Sequence, residues 1–191
     1  LIACDFFVPS ATNTLKSIQS SLAVAKITLQ EEFVKLIATQ QKLIHSLCSL
    51  YFSRHEDRKD MFQEIVLQLW KAYPSFNRQS KVSTWIYRIS LNTVFAKLRK
   101  EKSRPKNEPY SEYAYQISGS DNSIELTEAT EELYRAIAQL SDVDKALIML
   151  YLEEHSYDEM AGMLNLSRTN VSTRINRIKT KLEKLLKNQL P

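Results

Sequence analysis

The sequence predicts an all-α fold: two small helical domains joined by a flexible linker. Three observations lead there. The 191 residues include only two glycines and five prolines, too few for the many turns of a β-rich chain of this length. Apolar residues recur at helical spacing through most of the chain. That pattern breaks over residues 104–125, which hold Pro105, Pro109 and Gly119 among several Ser and Tyr residues and few aliphatics, the composition of a linker.

Residues 1–28 are rich in Ser, Thr, Ala and Gln and read as a tail or one loose helix. The first domain spans residues 29–104. In it, Phe33, Leu36, Ile37, Leu43, Ile44, Leu47 and Leu50 predict one helix, and Met61, Phe62, Ile65, Val66, Leu69 and Trp70 a second that Pro74 helps to end. Val82, Trp85, Ile86 and Ile89 start a third stripe, which continues with a phase shift through Leu91, Val94, Phe95 and Leu98. After the linker, residues 105–125, the second domain covers 126–191. Leu126, Leu133, Ile137 and Leu140 resume the helical pattern. Ser141-Asp142-Val143-Asp144 then reads as a helix start leading into Leu147, Ile148, Leu150 and Tyr151.

The charge is unevenly distributed. The net charge is +4. Lys97, Arg99, Lys100, Lys102, Arg104 and Lys106 face the single acid Glu101, and seven basic residues after residue 160 face Glu183 alone. Between them, residues 126–159 set Arg135 and Lys145 against nine carboxylates. Two basic segments separated by an acidic one suit two surfaces for a polyanion and a third for another partner.

Cys4 and Cys48 form no metal-binding spacing, so a reduced cytoplasm is expected. No apolar run reaches the ~20 residues of a membrane helix, and no membrane insertion is expected. Leu1-Ile2-Ala3-Cys4 is similar to the box before a lipidated cysteine, but no basic and apolar run precedes it, so lipidation is not expected. His45, His55 and His155 have no ligand spacing, and no Gly-rich phosphate loop occurs. Neither a cofactor, a metal, a small-molecule substrate nor an enzymatic activity is expected. His155 reads as a surface residue, and Glu153, Glu154, Asp158 and Glu159 as a solvated acidic face.

Ser156-Tyr157-Asp158-Glu159 is a capping box opening a short helix. Asn165 stands where the chain must turn sharply and tolerates the left-handed conformation, and Ser167 follows as a second cap. Val171, Ile175, Ile178, Leu182 and Leu185 then line one face of a final helix, while Ala161 is small where two helices must approach. Together these form a helix-turn-helix. Its last helix presents Arg168, Thr169, Asn170, Thr173, Arg174, Arg177 and Lys181 to the major groove and the phosphates of duplex DNA.

The stretch Phe76 to Asn92 mixes aromatic, basic and amide groups, the materials of single-strand binding. Trp85 reads as core. Tyr87, Arg88 and Asn92 read as exposed and available to nucleic acid.

Asp60-Met61-Phe62-Gln63-Glu64, then Trp70, then Phe76, then Thr84-Trp85-Ile86-Tyr87-Arg88-Ile89-Ser90-Leu91-Asn92 resembles the second conserved region of extracytoplasmic-function sigma factors of the sigma-70 family. The family pattern there reads D-x-x-Q-E, an aromatic, F-x-G-x-S and T-W-L-Y-R-I-A-x-N. The segments S-Y-D-E-M-A and L-N-L-S-R-T-N-V resemble the helix-turn-helix of the fourth region. The resemblance covers about residues 30–104 and 126–188. It implies a protein that binds core RNA polymerase and directs initiation at promoter DNA. Asp60, Gln63 and Glu64 would grip the β′ coiled coil. The loop of residues 76–83, including Phe76, Asn77, Arg78, Ser80 and Lys81, would capture a flipped −10 base with Asn92. Tyr87 would face the same element. Arg88, Lys97, Arg99 and Lys100 would lie near the backbone. The last domain would read the −35 duplex and rest on the β flap, and the acidic linker would thread toward the RNA exit path. An anti-sigma factor is a common partner in the family.

Arg78 departs from the pattern where the family usually has Gly, Ala96 replaces a frequent Asp, and Asn165 replaces the usual turn Gly. Two rivals fit the helix-turn-helix features on their own. One is a helix-turn-helix regulator that binds duplex DNA unaided; the other is a helical interaction protein with no DNA role. Neither needs the D-x-x-Q-E or T-W-x-Y-R signature.

Overall fold

The computed structural model describes residues 10–103 and 128–187, with side chains from residue 27 in the first stretch and residue 132 in the second. The expected linker, residues 105–125, lies outside them, as do residues 1–9 of the tail and Leu126. The described residues are helical, with no strand. Helix α1 spans Ser10–Tyr51, α2 His55–Ala72 and α3 Val82–Lys102, with a 3-10 turn at Tyr73–Ser75 between the last two. Helices α4 (Glu128–Ala138), α5 (Asp142–Leu152), α6 (Tyr157–Leu164) and α7 (Arg168–Lys187) follow.

Two compact units result, residues 1–40 and residues 41–191. In the second, α2 packs on α3 through buried Met61, Ile65 and Leu69 on one side and Ile86, Leu91 and Val94 on the other. The α2 start lacks a side-chain cap, and Glu56 and Asp57 in its first turn complement the helix dipole instead. Pro74 occupies the first turn of the 3-10 segment, where its missing N–H costs nothing. Cys48 is buried, and burial pushes its thiol up to about 12, so it behaves as an inert apolar side chain.

The C-terminal helices converge on α7, whose Val171, Ile175, Ile178 and Leu182 are buried at the predicted spacing. Leu185 is only half-buried at the fraying end. Ala136, Ile137, Leu140, Ala146, Leu147, Leu150, Met160 and Met163 complete this core.

Both helical lobes are present, but they pack directly on one another through α3 and α6. Tyr87 lies at this contact. Its side chain is 0% exposed, its hydroxyl donates to the Glu153 carboxylate, and its ring meets His155 edge-on at 5.5 Å. Burial, and then the Glu153 carboxylate, push the Tyr87 phenol well above its ordinary value. Around it, the Tyr51 hydroxyl donates to the carbonyl of Asp142 at 2.6 Å, Lys102 Nζ pairs with Asp142 Oδ2 at 2.7 Å, and Lys81 Nζ lies 3.6 Å from Glu159 Oε1.

Four expectations need correction here. Tyr87 is not exposed, because α6 covers the face of α3 that carries it. His155 is not a surface residue: only 9% of its side chain is exposed. Glu153 is an interhelical acceptor rather than part of a merely solvated face. Finally, the α3 stripe has no phase shift. Ile86, Tyr87, Ser90, Leu91 and Val94 form one continuous buried face, while Trp85 is half-buried and stacks on Phe76 at 4.6 Å. The continuous face runs through Tyr87 and Ser90, neither of which belongs to the aliphatic stripe that the sequence shows.

The Ser90 hydroxyl is buried with no hydrogen-bond partner, at the position where the sigma-factor pattern carries Ala. A buried unpaired hydroxyl costs about 1–3 kcal/mol. Ser90→Ala is therefore expected to stabilise the fold by about 1 kcal/mol, read as a higher urea midpoint with an unchanged m-value.

Candidate nucleic-acid interface

The helix-turn-helix is built by its caps. Ser156 N donates to Glu159 Oε2 at 2.9 Å, and Glu159 N donates to Ser156 Oγ at 3.2 Å, closing the capping box. These Ser156 hydrogen bonds, more than the Lys81 and His155 charges, hold the Glu159 carboxyl below its ordinary value. At the other end Asn165 adopts φ 54°, ψ 46°. This left-handed residue lets the Leu166 N–H return to the Ala161 carbonyl at 3.0 Å and satisfy the helix end. Ser167 Oγ then accepts from Asn170 N at 3.2 Å and starts α7.

On α7, Thr169, Asn170, Thr173, Arg174, Arg177 and Lys181 line one open groove, with Leu140 and Asp144 on its other wall. Arg168 is exposed, lies outside this groove, and pairs with Asp158 at 3.4 Å. Lys181 Nζ donates to the Gln139 carbonyl at 3.1 Å, which draws its stem along the groove.

In the first lobe, Asn77, Arg78, Gln79, Ser80 and Lys81 are exposed, and Phe76 is half-buried under the Trp85 ring. Asn77 Oδ1 accepts from Gln79 N at 3.3 Å, a local turn around Arg78. Arg78 has φ 58°. The loop thus makes a left-handed turn at the position where the family pattern has Gly, with a residue that finds it unfavourable by about 1–2 kcal/mol. Arg88, Asn92 and Arg99 share one exposed face of α3, at spacings of four and seven, with Lys100 exposed beside them. Tyr87 does not belong to this face.

Asp60, Gln63 and Glu64 are exposed on α2, and Gln68 Nε2 donates to Glu64 Oε1 at 2.7 Å. Leu67 continues the same face one turn on and is 45% exposed. The sequence reading missed it, although a leucine three residues after Glu64, off the buried 61–65–69 line, is a readable signal of an outward apolar contact.

A family model described as Sigma-70 region 2 matches residues 36–104, and one described as Sigma-70, region 4 matches residues 130–182. The chain belongs to the sigma-70 family, in its extracytoplasmic-function group. Similar relatives are extracytoplasmic-function sigma factors. One is the SigW factor of Bacillus subtilis, 25% identical over 83% of this chain and 91% of that protein. Another is the sigma-E factor of Escherichia coli K12, 27% identical over 81% and 86%. Two solved structures share the fold. The sigma factor RpoE in complex with the anti-sigma factor NepR from Bartonella quintana has a TM-score of 0.69 and 18% identity, over 84% of this chain and 99% of that one. CnrH in complex with the cytosolic domain of CnrY has a TM-score of 0.58 and 22% identity, over 84% and 91%. This sigma factor therefore directs promoter-specific transcription. Among its described residues no helix is long and apolar enough to cross a membrane.

Three outcomes follow from the local geometry. Arg78→Gly should stabilise the fold by about 1 kcal/mol, seen in urea melts, because it removes a positive-φ penalty. The Glu159 carboxyl is held below the ordinary value of 4.5, so its contribution is complete above that pH and lost as acid carries the protein through the lowered value. Glu159→Gln should therefore flatten the acid limb of the stability–pH profile, and Ser156→Ala should cost about 1 kcal/mol at neutral pH.

Proposed function

We propose that this sigma factor reads a −35 element as duplex DNA through α7 and captures a −10 element on the exposed face of α3 and its preceding loop. The observation that carries the reading is the capped helix-turn-helix, whose α7 turns Thr169, Asn170, Thr173, Arg174, Arg177 and Lys181 along one groove. In such a motif the early residues reach base edges and the later basic ones meet phosphates. Arg168 supplies a further backbone contact at the helix start.

On the first lobe, Asn92 pairs with an unstacked base, and Phe76, Asn77, Arg78, Ser80 and Lys81 shape its pocket. Arg88, Arg99 and Lys100 track the single-strand backbone. Asp60, Gln63 and Glu64, with Leu67, dock on the β′ coiled coil of core RNA polymerase, while the last lobe rests on the β flap. The protein works in the cytoplasm, needs no cofactor, and is held inactive by an anti-sigma factor, a kind of partner carried by the RpoE neighbour from Bartonella quintana. The domain division follows the same roles: residues 29–104 for polymerase and the −10 element, 105–125 as linker, 126–191 for the −35 element.

The deciding experiment measures binding of pooled promoter fragments with and without bacterial core RNA polymerase at one fixed salt concentration, since phosphate contacts make affinity salt-dependent. Selective binding and strand opening only with core enzyme is the expected outcome; tight duplex binding by the chain alone, unchanged by core, would refute it. Asn92→Ala should lower strand opening at least tenfold while polymerase binding stays intact. Gln63→Ala combined with Glu64→Ala should weaken the polymerase complex first.

A further inference from the structure

Asp144 is an unexpected group on a surface meant for DNA. Its carboxylate opens onto the α7 groove, where a negative charge repels phosphate, yet it does not stand alone. Oδ1 accepts from Arg174 Nη1 at 2.9 Å, and Oδ2 accepts from Ser141 Oγ at 2.7 Å, the hydroxyl that caps α5. Arg174 is held from its own helix as well, with Nε donating to Asn170 Oδ1 at 2.9 Å. The Arg174 side chain remains 37% exposed. The guanidinium is thus gripped on two edges by acceptors on two helices, and its remaining donors stay free toward the groove.

From this geometry we infer that Asp144 is a positioning residue for base selection: it fixes the direction of the Arg174 guanidinium and cancels its charge, so that Arg174 discriminates between base pairs without adding general attraction to DNA. A free arginine on such a face swings between base edges and phosphates, gaining affinity for every sequence. An arginine already tethered loses little rotamer freedom on binding and presents its fork in one orientation, the condition for a paired contact to a base edge. Asp144 also sits in the first turn of α5, where it supports the cap, so the test must separate the two roles.

The inference rests on the reading of α7 as the duplex-reading helix. The test uses the full chain reconstituted with bacterial core RNA polymerase and a pool of duplexes randomised over the −35 stretch, with bound sequences counted at two salt concentrations. Arg174→Ala should erase the preference at one or two columns. Asp144→Ala should weaken the preference at those same columns about tenfold. Retention of unselected DNA should rise and its salt dependence steepen by about one phosphate contact. Asp144→Asn, which keeps the acceptor without the charge, should restore most of the column preference but not the shallower salt dependence. If Asp144→Ala leaves those columns unchanged, or lowers all columns together with the melting temperature, Asp144 serves α5 alone and the inference is overturned. If the wild-type chain enriches no sequence, or Arg174→Ala changes no column, the duplex-reading role of α7 itself fails.

Discussion

The burial of Tyr87 between α3 and α6 is the contact on which the described arrangement of the two lobes depends. Complete burial of an aromatic side chain contributes about 2 kcal/mol, and the bond to Glu153 satisfies a hydroxyl that would otherwise be costly to bury. The polar contacts around it act at the margins. The pairs of Lys102 with Asp142 and Lys81 with Glu159 involve exposed lysines, which screening makes weak. The Tyr51 bond to the Asp142 carbonyl is better sheltered. It holds the end of α1 against the start of α5, a contact made across 91 residues of sequence.

A second constraint acts over a much shorter range. Eight residues of α6 must end, reverse and hand over to α7 with its exposed face correctly rotated. Caps at both ends achieve this: the Ser156–Glu159 box, the left-handed Asn165, and Ser167. The Ser167 carbonyl also accepts from Val171 N at 3.0 Å, at the first buried position of α7, so these residues together set where that stripe begins. The groove that carries Arg174 therefore inherits its geometry from hydrogen bonds made several residues earlier.

The parts of this molecule that local chemistry determines were legible in its sequence. The three N-caps, the positive φ at Asn165 and the α7 stripe are each encoded within a few residues; the D-x-x-Q-E and T-W-x-Y-R signatures located the first lobe, and the S-Y-D-E-M-A and L-N-L-S-R-T-N-V segments located the second. What sequence reading lost lies in contacts between distant segments. Tyr87 was taken as exposed because its partners, Glu153 and His155, lie more than sixty residues away. The burial of Ser90 was not legible, because a buried hydroxyl leaves no mark in apolar periodicity. Asp144 was legible as a helix-capping acid but not as the partner of Arg174, which depends on how α5 crosses α7. The positive φ of Arg78 was not legible either, because arginine rarely adopts it.

The α3–α6 contact also makes the two lobes thermodynamically reciprocal. A molecule that engages α3 only after α6 has lifted away binds with an apparent affinity reduced by the fraction of open molecules. A molecule that clasps both lobes gains by the same amount that opening costs. By linkage, a substitution at Glu153 or His155, neither of which faces the α7 groove, shifts that ratio for both kinds of partner in opposite directions. The strength of the contact between the lobes thus rests on a buried tyrosine hydroxyl and one carboxylate, away from the α7 groove.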